Sequence, residues 1–308
     1  VSRKTKVLVV GASGMLGSMI LDVLSRSGDL DLVGTYCSRS PATYSWPVAR
    51  LTPFNHKPSP VPDIGLGSDD WIVNAAGWIP QRGGGGDDLQ LALDANVTLA
   101  IKLAGVASKT GARLLQIGTD CVFAGTVGGY KESDPHDGSS LYAKTKSLGE
   151  VPGSAILRCS IVGPEPAWSR KLGLLEWFLS HSPGATVSGY ADCWWNGVTT
   201  LEFARVVEGL IRNPDLFWSG VQHLVPINVE SKFRLLGLFG EAFGREDLVV
   251  NPVDTGGPGH QRIWTENTDR CQGLWEVAGR DSWPTIEEMI QSLAKWESRA
   301  FPALGVPA

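Results

Sequence analysis

The chain has 308 residues, 43% of them hydrophobic and 19% charged, a balance that excludes a disordered protein and allows one large domain or two smaller ones. Its net charge of −5, with no basic block, excludes nonspecific nucleic-acid binding. No apolar run reaches the roughly 18–20 residues of a membrane helix, and the N-terminal apolar run stops at Gly11, short of a secretory signal. No membrane partner is therefore expected, and the chain reads as cytoplasmic. Five scattered cysteines without a CxxC pair predict reduced, mostly buried thiols and no metal site.

KVLVVGASG predicts a short buried strand running into a glycine turn, and MLGSMILDVLSRSG a helix that stops at Gly28. DLVGTY predicts a second strand. DDWIVNAAG, ARLLQIGTD and SAILRCSIVG are later apolar runs of strand length, separated by helical stretches that include 89–110 and about 139–150. Residues 51–68, with many Pro and Gly, read as loop, as does RGGGGDD at 82–88. Beyond about residue 164 the alternation weakens. There LGLLEWFLSH, TTLEFARVVEGLI and KFRLLGLFGEAF are helical by spacing, with short strand candidates at 185–188, 221–225 and 248–251. The expected fold class is α/β: a Rossmann-type doubly wound parallel sheet with a smaller C-terminal α/β substrate lobe. The expected division is a dinucleotide-binding domain over 1–163 and the lobe over 164–308, with a C-terminal segment free to return to the first domain.

VVGASGMLG follows a strand and opens a helix, the context in which such glycines bind a dinucleotide. Gly11 permits the tight turn. Gly14 lets the backbone approach a diphosphate at the helix N-terminus, and Gly17 allows close helix–strand packing. Ser13, Met15 and Leu16 lie on the same turn and join them as candidate cofactor contacts. A glycine turn without a ligand is the other reading. The GxxGxxG spacing points to short-chain dehydrogenase-type sheets. The second strand ends in GTYCSRS, with no acid to take a ribose hydroxyl. Ser38 and Arg39 stand where a 2′-phosphate would lie, so NADPH is favoured and NADH is the alternative. Arg39 also reads as a solvated loop residue.

Ala75, Ala76 and Gly77 in VNAAGW are small enough for adenosine and ribose to lie against the backbone, and close packing explains them as well. Asn96 reads either as a buried buttress at the cofactor site or as an exposed helix residue. IGTDCVF puts Thr119 and Asp120 at a strand's carboxyl end, in the ligand crevice of this fold class. Tyr142 and Lys146 share one face of the following helix, which is also what an ordinary amphipathic helix would show. With the glycine turn, these residues make a working set for carbonyl reduction. Tyr142 gives a proton to the developing alkoxide, its pKa of ~10 lowered by the Lys146 ammonium. Lys146 also reaches the nicotinamide ribose, and Thr119 hydrogen-bonds the substrate oxygen. In the second part, Trp194, Trp195 and Asn196 read as a substrate wall or as packing. Arg262 reads as a diphosphate contact or a surface ion pair. His136 and His260 read as plain loop residues.

GASGMLG, GTDCVFAG, YAKTK and ILRCSIVG, in this order and spacing, resemble the extended short-chain dehydrogenase/reductases and, more closely, the dTDP-4-dehydrorhamnose reductase family, over about residues 6–300. The resemblance implies a nucleotide-sugar substrate and reduction of a 4-keto group to an alcohol, in deoxysugar or polysaccharide biosynthesis. It implies a Thr–Tyr–Lys catalytic set on Thr119, Tyr142 and Lys146, with Asp120 beside the substrate. Four departures bear on which sugar and nucleotide bind. Ile161 replaces the Trp that borders the substrate in the family's Arg-Thr-Ser-Trp ending. TDYVFDG becomes TDCVFAG, with Cys121 and Ala124. WIPQRGGGGDD replaces an acidic segment, and GHQRIWTENTDR stands for the usual Arg-Pro segment.

Two other readings stay open. One is an epimerase or dehydratase on the same fold, against which the missing strand-two acid and the lack of a Glu after Asp120 both argue. The other is a non-catalytic cofactor-binding subunit, since the resemblance extends to the regulatory beta subunit of methionine adenosyltransferase; the presence of both Tyr142 and Lys146 argues against it. A homodimer is left open by the sequence.

Overall fold

The computed structural model describes residues 3–37, 49–54, 60–80, 88–166, 169, 171–257 and 261–296. Its strands are β1 (Lys6–Val10), β2 (Asp31–Tyr36), β3 (Ala49–Pro53), β4 (Trp71–Asn74), β5 (Arg113–Ile117), β6 (Ala155–Arg158), β7 (Ile161–Val162), β8 (Thr186–Tyr190), β9 (Trp194–Trp195), β10 (Val198–Thr199), β11 (Gly220–His223), β12 (Glu230–Ser231) and β13 (Val249–Val253). The helices are α1 (Met15–Leu24), α2 (Leu89–Leu93), α3 (Leu99–Thr110), α4 (Leu141–Leu148), α5 (Leu174–Leu179), α6 (Thr200–Arg212), α7 (Lys232–Phe243), α8 (Thr268–Val277) and α9 (Ile286–Ala294).

Seven strands form one parallel sheet in the order β11-β6-β5-β4-β1-β2-β3. This is the expected doubly wound α/β architecture. Strands such as β1 and β4 are buried on both faces, which is why their sequences are continuous apolar runs rather than alternating ones. From β1 the chain winds outward to β2 and β3. It then returns to β4 on the other side, so the direction of winding reverses between β1 and β4. Ligands of such sheets bind at the carboxyl ends of the strands at that reversal. The register Val10↔Asn74 brings Gly11 and Ala75 side by side there.

Three expectations are corrected. Residues 49–53 are not loop but the edge strand β3, where Pro53 is tolerated because an edge strand leaves one side of its backbone unpaired. The candidate strand near 221–225 does not stay within the second part: β11 pairs with β6 and extends the main sheet. The helical run Leu89–Thr110 is long and apolar enough, by length and composition alone, to cross a membrane. Its apolar residues are accounted for within the fold, because Leu99, Leu103 and Ala107 join Leu8, Val10, Ile72 and Leu114 in one core cluster. That run is interrupted by one wider π turn over Asp94–Thr98, with Ala95 and Asn96 buried.

The second half is fastened to the first through its core. The helix α6, capped by Thr199, packs along α1 and is buried over most of its length. One apolar cluster runs from Met19 and Leu24 of α1 through Leu201 and Val207 of α6 to Trp275 and Ile290.

Two glycines make the β1–α1 turn possible. Gly11 has φ +83°, and a Cβ there would stand 2.8 Å from the Ala76 backbone. A Cβ on Gly17 would collide with the Gly11 carbonyl. Gly17→Ala is therefore expected to cost about 2 kcal/mol or more in urea unfolding. Gly105→Ala, on the exposed side of α3 with nothing within 4 Å of the added methyl, is expected to gain about 0.5–1 kcal/mol. Equal effects at the two positions would contradict this account of the turn.

Candidate active site

Two adjoining crevices open at the carboxyl edge of the sheet and share Gly14, Ala75, Ala76 and Gly77. One, of about 370 Å³, is lined by Val10, Gly11, Ser13, Thr35, Tyr36, Phe54 and Leu99. The other, of about 300 Å³, is lined by Met15, Leu16, Thr119, Asp120, Cys121, Tyr142, Lys146, Cys159, Ser160 and Ile161. Between them stands the N-terminus of α1. Gly14 caps it without a side-chain bond, and its first turn carries no acid, so its free N–H groups favour an anion.

The structure thus gathers Gly11, Ser13, Gly14, Met15, Leu16, Ala75, Ala76 and Gly77 along one cleft. Gly17 lies in the turn, where it serves packing. Ser38 and Arg39 lie outside the described residues, as does His260. Thr35 is a site residue that sequence reading missed. Its Oγ1 accepts from Gly11 N at 3.1 Å and its carbonyl from Ala12 N at 2.8 Å, so it sets the turn. A threonine within a strand gives no local signal of that role.

Helix α4 starts where Ser140 Oγ accepts from Ala143 N at 3.0 Å, and it presents Tyr142 and Lys146 to the second crevice. Lys146 Nζ donates to the Ile117 carbonyl at the end of β5, 2.7 Å away. Burial lowers its pKa to about 8, with the Glu150 carboxylate pulling the other way. Burial drives the Tyr142 phenol upward from 10, the charges of Cys121 and Asp120 push in the same direction, and a hydrogen bond with Thr119 opposes them. The lowering of Tyr142 by Lys146 expected from the sequence is thus outweighed, because a phenolate in this crevice loses its water.

Thr119 caps a short 3₁₀ turn, its Oγ1 accepting from Cys121 N at 3.2 Å and donating to Asp120 Oδ1 at 3.3 Å. Asp120 is buried, and that burial raises its carboxyl pKa, against hydrogen bonds from Cys121, Thr119 and Ser160 and the charge of Lys232. Ser160 was not singled out from the sequence. It lines the crevice and its Oγ accepts from Trp195 Nε1 at 2.9 Å. Lys232, from the start of α7, brings a charge toward Asp120 and Cys121, and no motif marks it.

Three expected contacts turn out otherwise. Asn96 is 5% exposed and lines neither crevice. Its Oδ1 accepts from Trp78 N at 2.8 Å, and its Nδ2 donates to the Trp78 carbonyl at 3.2 Å and to Thr145 Oγ1 at 3.0 Å. It therefore ties the loop after β4 to α4, as a buttress rather than a cofactor contact. Asn196 is likewise occupied, donating to the Ile263 carbonyl at 2.6 Å and accepting from Ile263 N at 3.2 Å. Trp195 is 7% exposed and packs, while Trp194 is 40% exposed. The Arg262 Nε is buried with no hydrogen-bond partner in the structure. Among the described residues no cluster of His, Cys, Asp and Glu is arranged to hold a metal.

The model of the RmlD substrate binding domain family matches residues 5–162, the part that carries the turn, Thr119, Tyr142 and Lys146. The chain belongs to that family. A dTDP-4-dehydrorhamnose reductase of Mycobacterium tuberculosis (strain CDC 1551 / Oshkosh) is 27% identical over 99% of this chain and 94% of the relative. Among solved structures, the dTDP-4-dehydrorhamnose reductase of Bacillus anthracis in complex with NADP superposes with a TM-score of 0.65 at 19% identity, over 94% of this chain and 99% of that one. A UDP-glucuronic acid 4-epimerase of Bacillus cereus, bound to UDP-4-deoxy-4-fluoro-glucuronic acid and NAD, superposes with a TM-score of 0.70 at 15% identity, over 94% and 98%. At such identities the two structures establish the shared fold.

Asn96→Ala strands the backbone N–H and carbonyl of Trp78 in the interior, while the Thr145 hydroxyl keeps its bond to the Leu141 carbonyl. It is expected to cost about 2–3 kcal/mol in urea unfolding, and a loss near zero would refute the buttress.

Proposed function

We propose that the protein is an NADPH-dependent reductase of a 4-keto nucleotide sugar, of the dTDP-4-dehydrorhamnose reductase type, acting in deoxysugar or polysaccharide biosynthesis. The observation that carries the reading is the convergence of Thr119, Tyr142 and Lys146 on a crevice that continues, past the N-terminus of α1, into a second crevice at the reversal of the sheet. A dinucleotide fits this pair: the amides at the head of α1 take the diphosphate, and the crevice of Thr35, Phe54 and Leu99 takes the adenosine. Gly14 caps α1 without a side-chain bond, which leaves those amides free for an anion. The absence of an acid after Tyr36, with Ser38 and Arg39 following, supports NADPH over NADH.

When bound, the reduced nicotinamide supplies the hydride that the carbonyl carbon accepts. The chain's own residues handle the oxygen. Thr119 turns its single hydroxyl proton from Asp120 to that oxygen, and Tyr142 donates the proton that completes the alcohol and regains one from solvent. The raised pKa of Tyr142 keeps it in the acid form at neutral pH, which suits a donor. Lys146, with a pKa of about 8, is mostly an ammonium at neutral pH and binds the ribose hydroxyls. Asp120, buried beside the oxygen, holds Thr119.

Residues 1–163 serve the cofactor in this reading and 164–308 the sugar nucleotide. Trp194 offers a face for stacking, and the Arg262 guanidinium is the diphosphate contact in this reading. Ile161 in place of an aromatic wall leaves a plain apolar side to the sugar. No disulfide joins cysteines among the described residues, which supports a cytoplasmic location.

The test is loss of reduced-nicotinamide absorbance when the protein meets NADPH and a panel of 4-keto nucleotide sugars. Oxidation with at least one is expected; oxidation with none, together with no NADPH binding, would overturn the reading. Tyr142→Phe is expected to keep NADPH affinity and lose at least ~100-fold in turnover. Unchanged turnover would remove Tyr142 from the proton-donor role.

A further inference from the structure

Arg158, the last residue of β6, is wholly buried, directly beneath the strand end that carries Thr119. A Cβ on Gly118 would stand 2.9 Å from the Arg158 Cβ. A guanidinium keeps its charge in a protein, so its N–H groups only donate. Its Nε and Nη2 grip the Glu150 carboxylate as a fork, at 3.1 and 2.7 Å. Nη2 also meets His136 Nε2 at 2.8 Å, and Nη1 meets His223 Nε2 at 2.7 Å.

Both imidazole Nε2 atoms must therefore accept. Each ring proton then sits on Nδ1, where an acceptor waits: Ser147 Oγ 2.6 Å from His136, and the Trp264 carbonyl 2.6 Å from His223. The two rings are neutral in this arrangement. Burial, with the nearby Arg158 charge, holds both below the ordinary imidazole value, His223 at about 4. Arg158, Glu150 and Asp137 face His136; Arg158, Glu132 and Asp134 face His223. The Arg158 guanidinium also lies 5.2 Å over the Phe123 ring.

This cluster holds the far end of α4. Ser147 directly follows Lys146, and Glu150 lies one turn beyond it. Glu150 is also the main influence opposing burial at Lys146.

We propose that Arg158, seated between neutral His136 and His223, is a positioning residue of the site: it fixes the Glu150 carboxylate one turn beyond Lys146, and it fixes the helix that presents Tyr142 and Lys146. The role rests on the reading of Lys146 as the working amine. Protonating either histidine would place a hydrogen on Nε2 facing the guanidinium, donor against donor, so acid opens the cluster.

The test is NMR of the full chain without substrate. Long-range imidazole ¹⁵N spectra are expected to show His136 and His223 as Nδ1–H tautomers at pH 7, with each ring more than half neutral at the ordinary imidazole pKa of 6.5. In lysine-labelled protein, Glu150→Gln is expected to lower the Lys146 titration from about 8 by about one unit, a tenfold shift in its proton equilibrium. An Nε2–H tautomer at either histidine overturns the proposal, as does an unmoved Lys146 titration in folded Glu150→Gln. If that variant does not fold, the wild-type tautomers decide alone. Neither readout needs a substrate, so failed turnover beside the expected tautomers would count against the reductase reading and not against the cluster.

Discussion

Where β1 ends, the chain must turn over Ala76 and begin a helix within a few residues, and no side chain fits in the gap. Gly11 in the left-handed region and Gly17 against the Gly11 carbonyl make that turn possible. Thr35 pins it from the neighbouring strand. Everything else at the site is referred to this backbone contact. It aims the free amides of α1 along the carboxyl edge of the sheet. The two crevices share the residues on either side of it, Gly14 and Ala75 to Gly77.

Around the contact, the surrounding protein takes water away from the ionisable groups, and that loss sets their chemistry. The same burial that raises the phenol of Tyr142 and the carboxyl of Asp120 lowers the ammonium of Lys146. Each shift disfavours a charge, and at Lys146 the Glu150 carboxylate opposes it. That carboxylate, Glu150, is itself held by a buried arginine.

Much of this was legible in the sequence, for physical reasons that can be named. Parallel strands buried on both faces write themselves as unbroken apolar runs, so β1, β2, β4, β5 and β6 stood out. The glycine turn and the Tyr142–Lys146 pair are local, and their spacing survives in one dimension. What could not be read depends on contacts between distant segments. The pairing of β11 with β6, the clasp of Asn196 on Ile263 and the bonds of Asn96 to Trp78 and Thr145 join residues from 18 to 67 positions apart. His136, which reads as a plain loop residue, gains its role only beside Arg158. The phenol of Tyr142 went against expectation because the sequence shows a neighbouring charge but not the loss of water.

The central claim is that one continuous cleft seats a reduced dinucleotide across the N-terminus of α1 with its reactive end at Tyr142. A crystal structure of the protein with NADPH tests it most directly. The account requires the adenosine beside Thr35 and Phe54, the diphosphate at the amides of α1, and the nicotinamide against Tyr142 and Lys146. A cofactor bound elsewhere, or seated with its nicotinamide turned away from Tyr142, would contradict it.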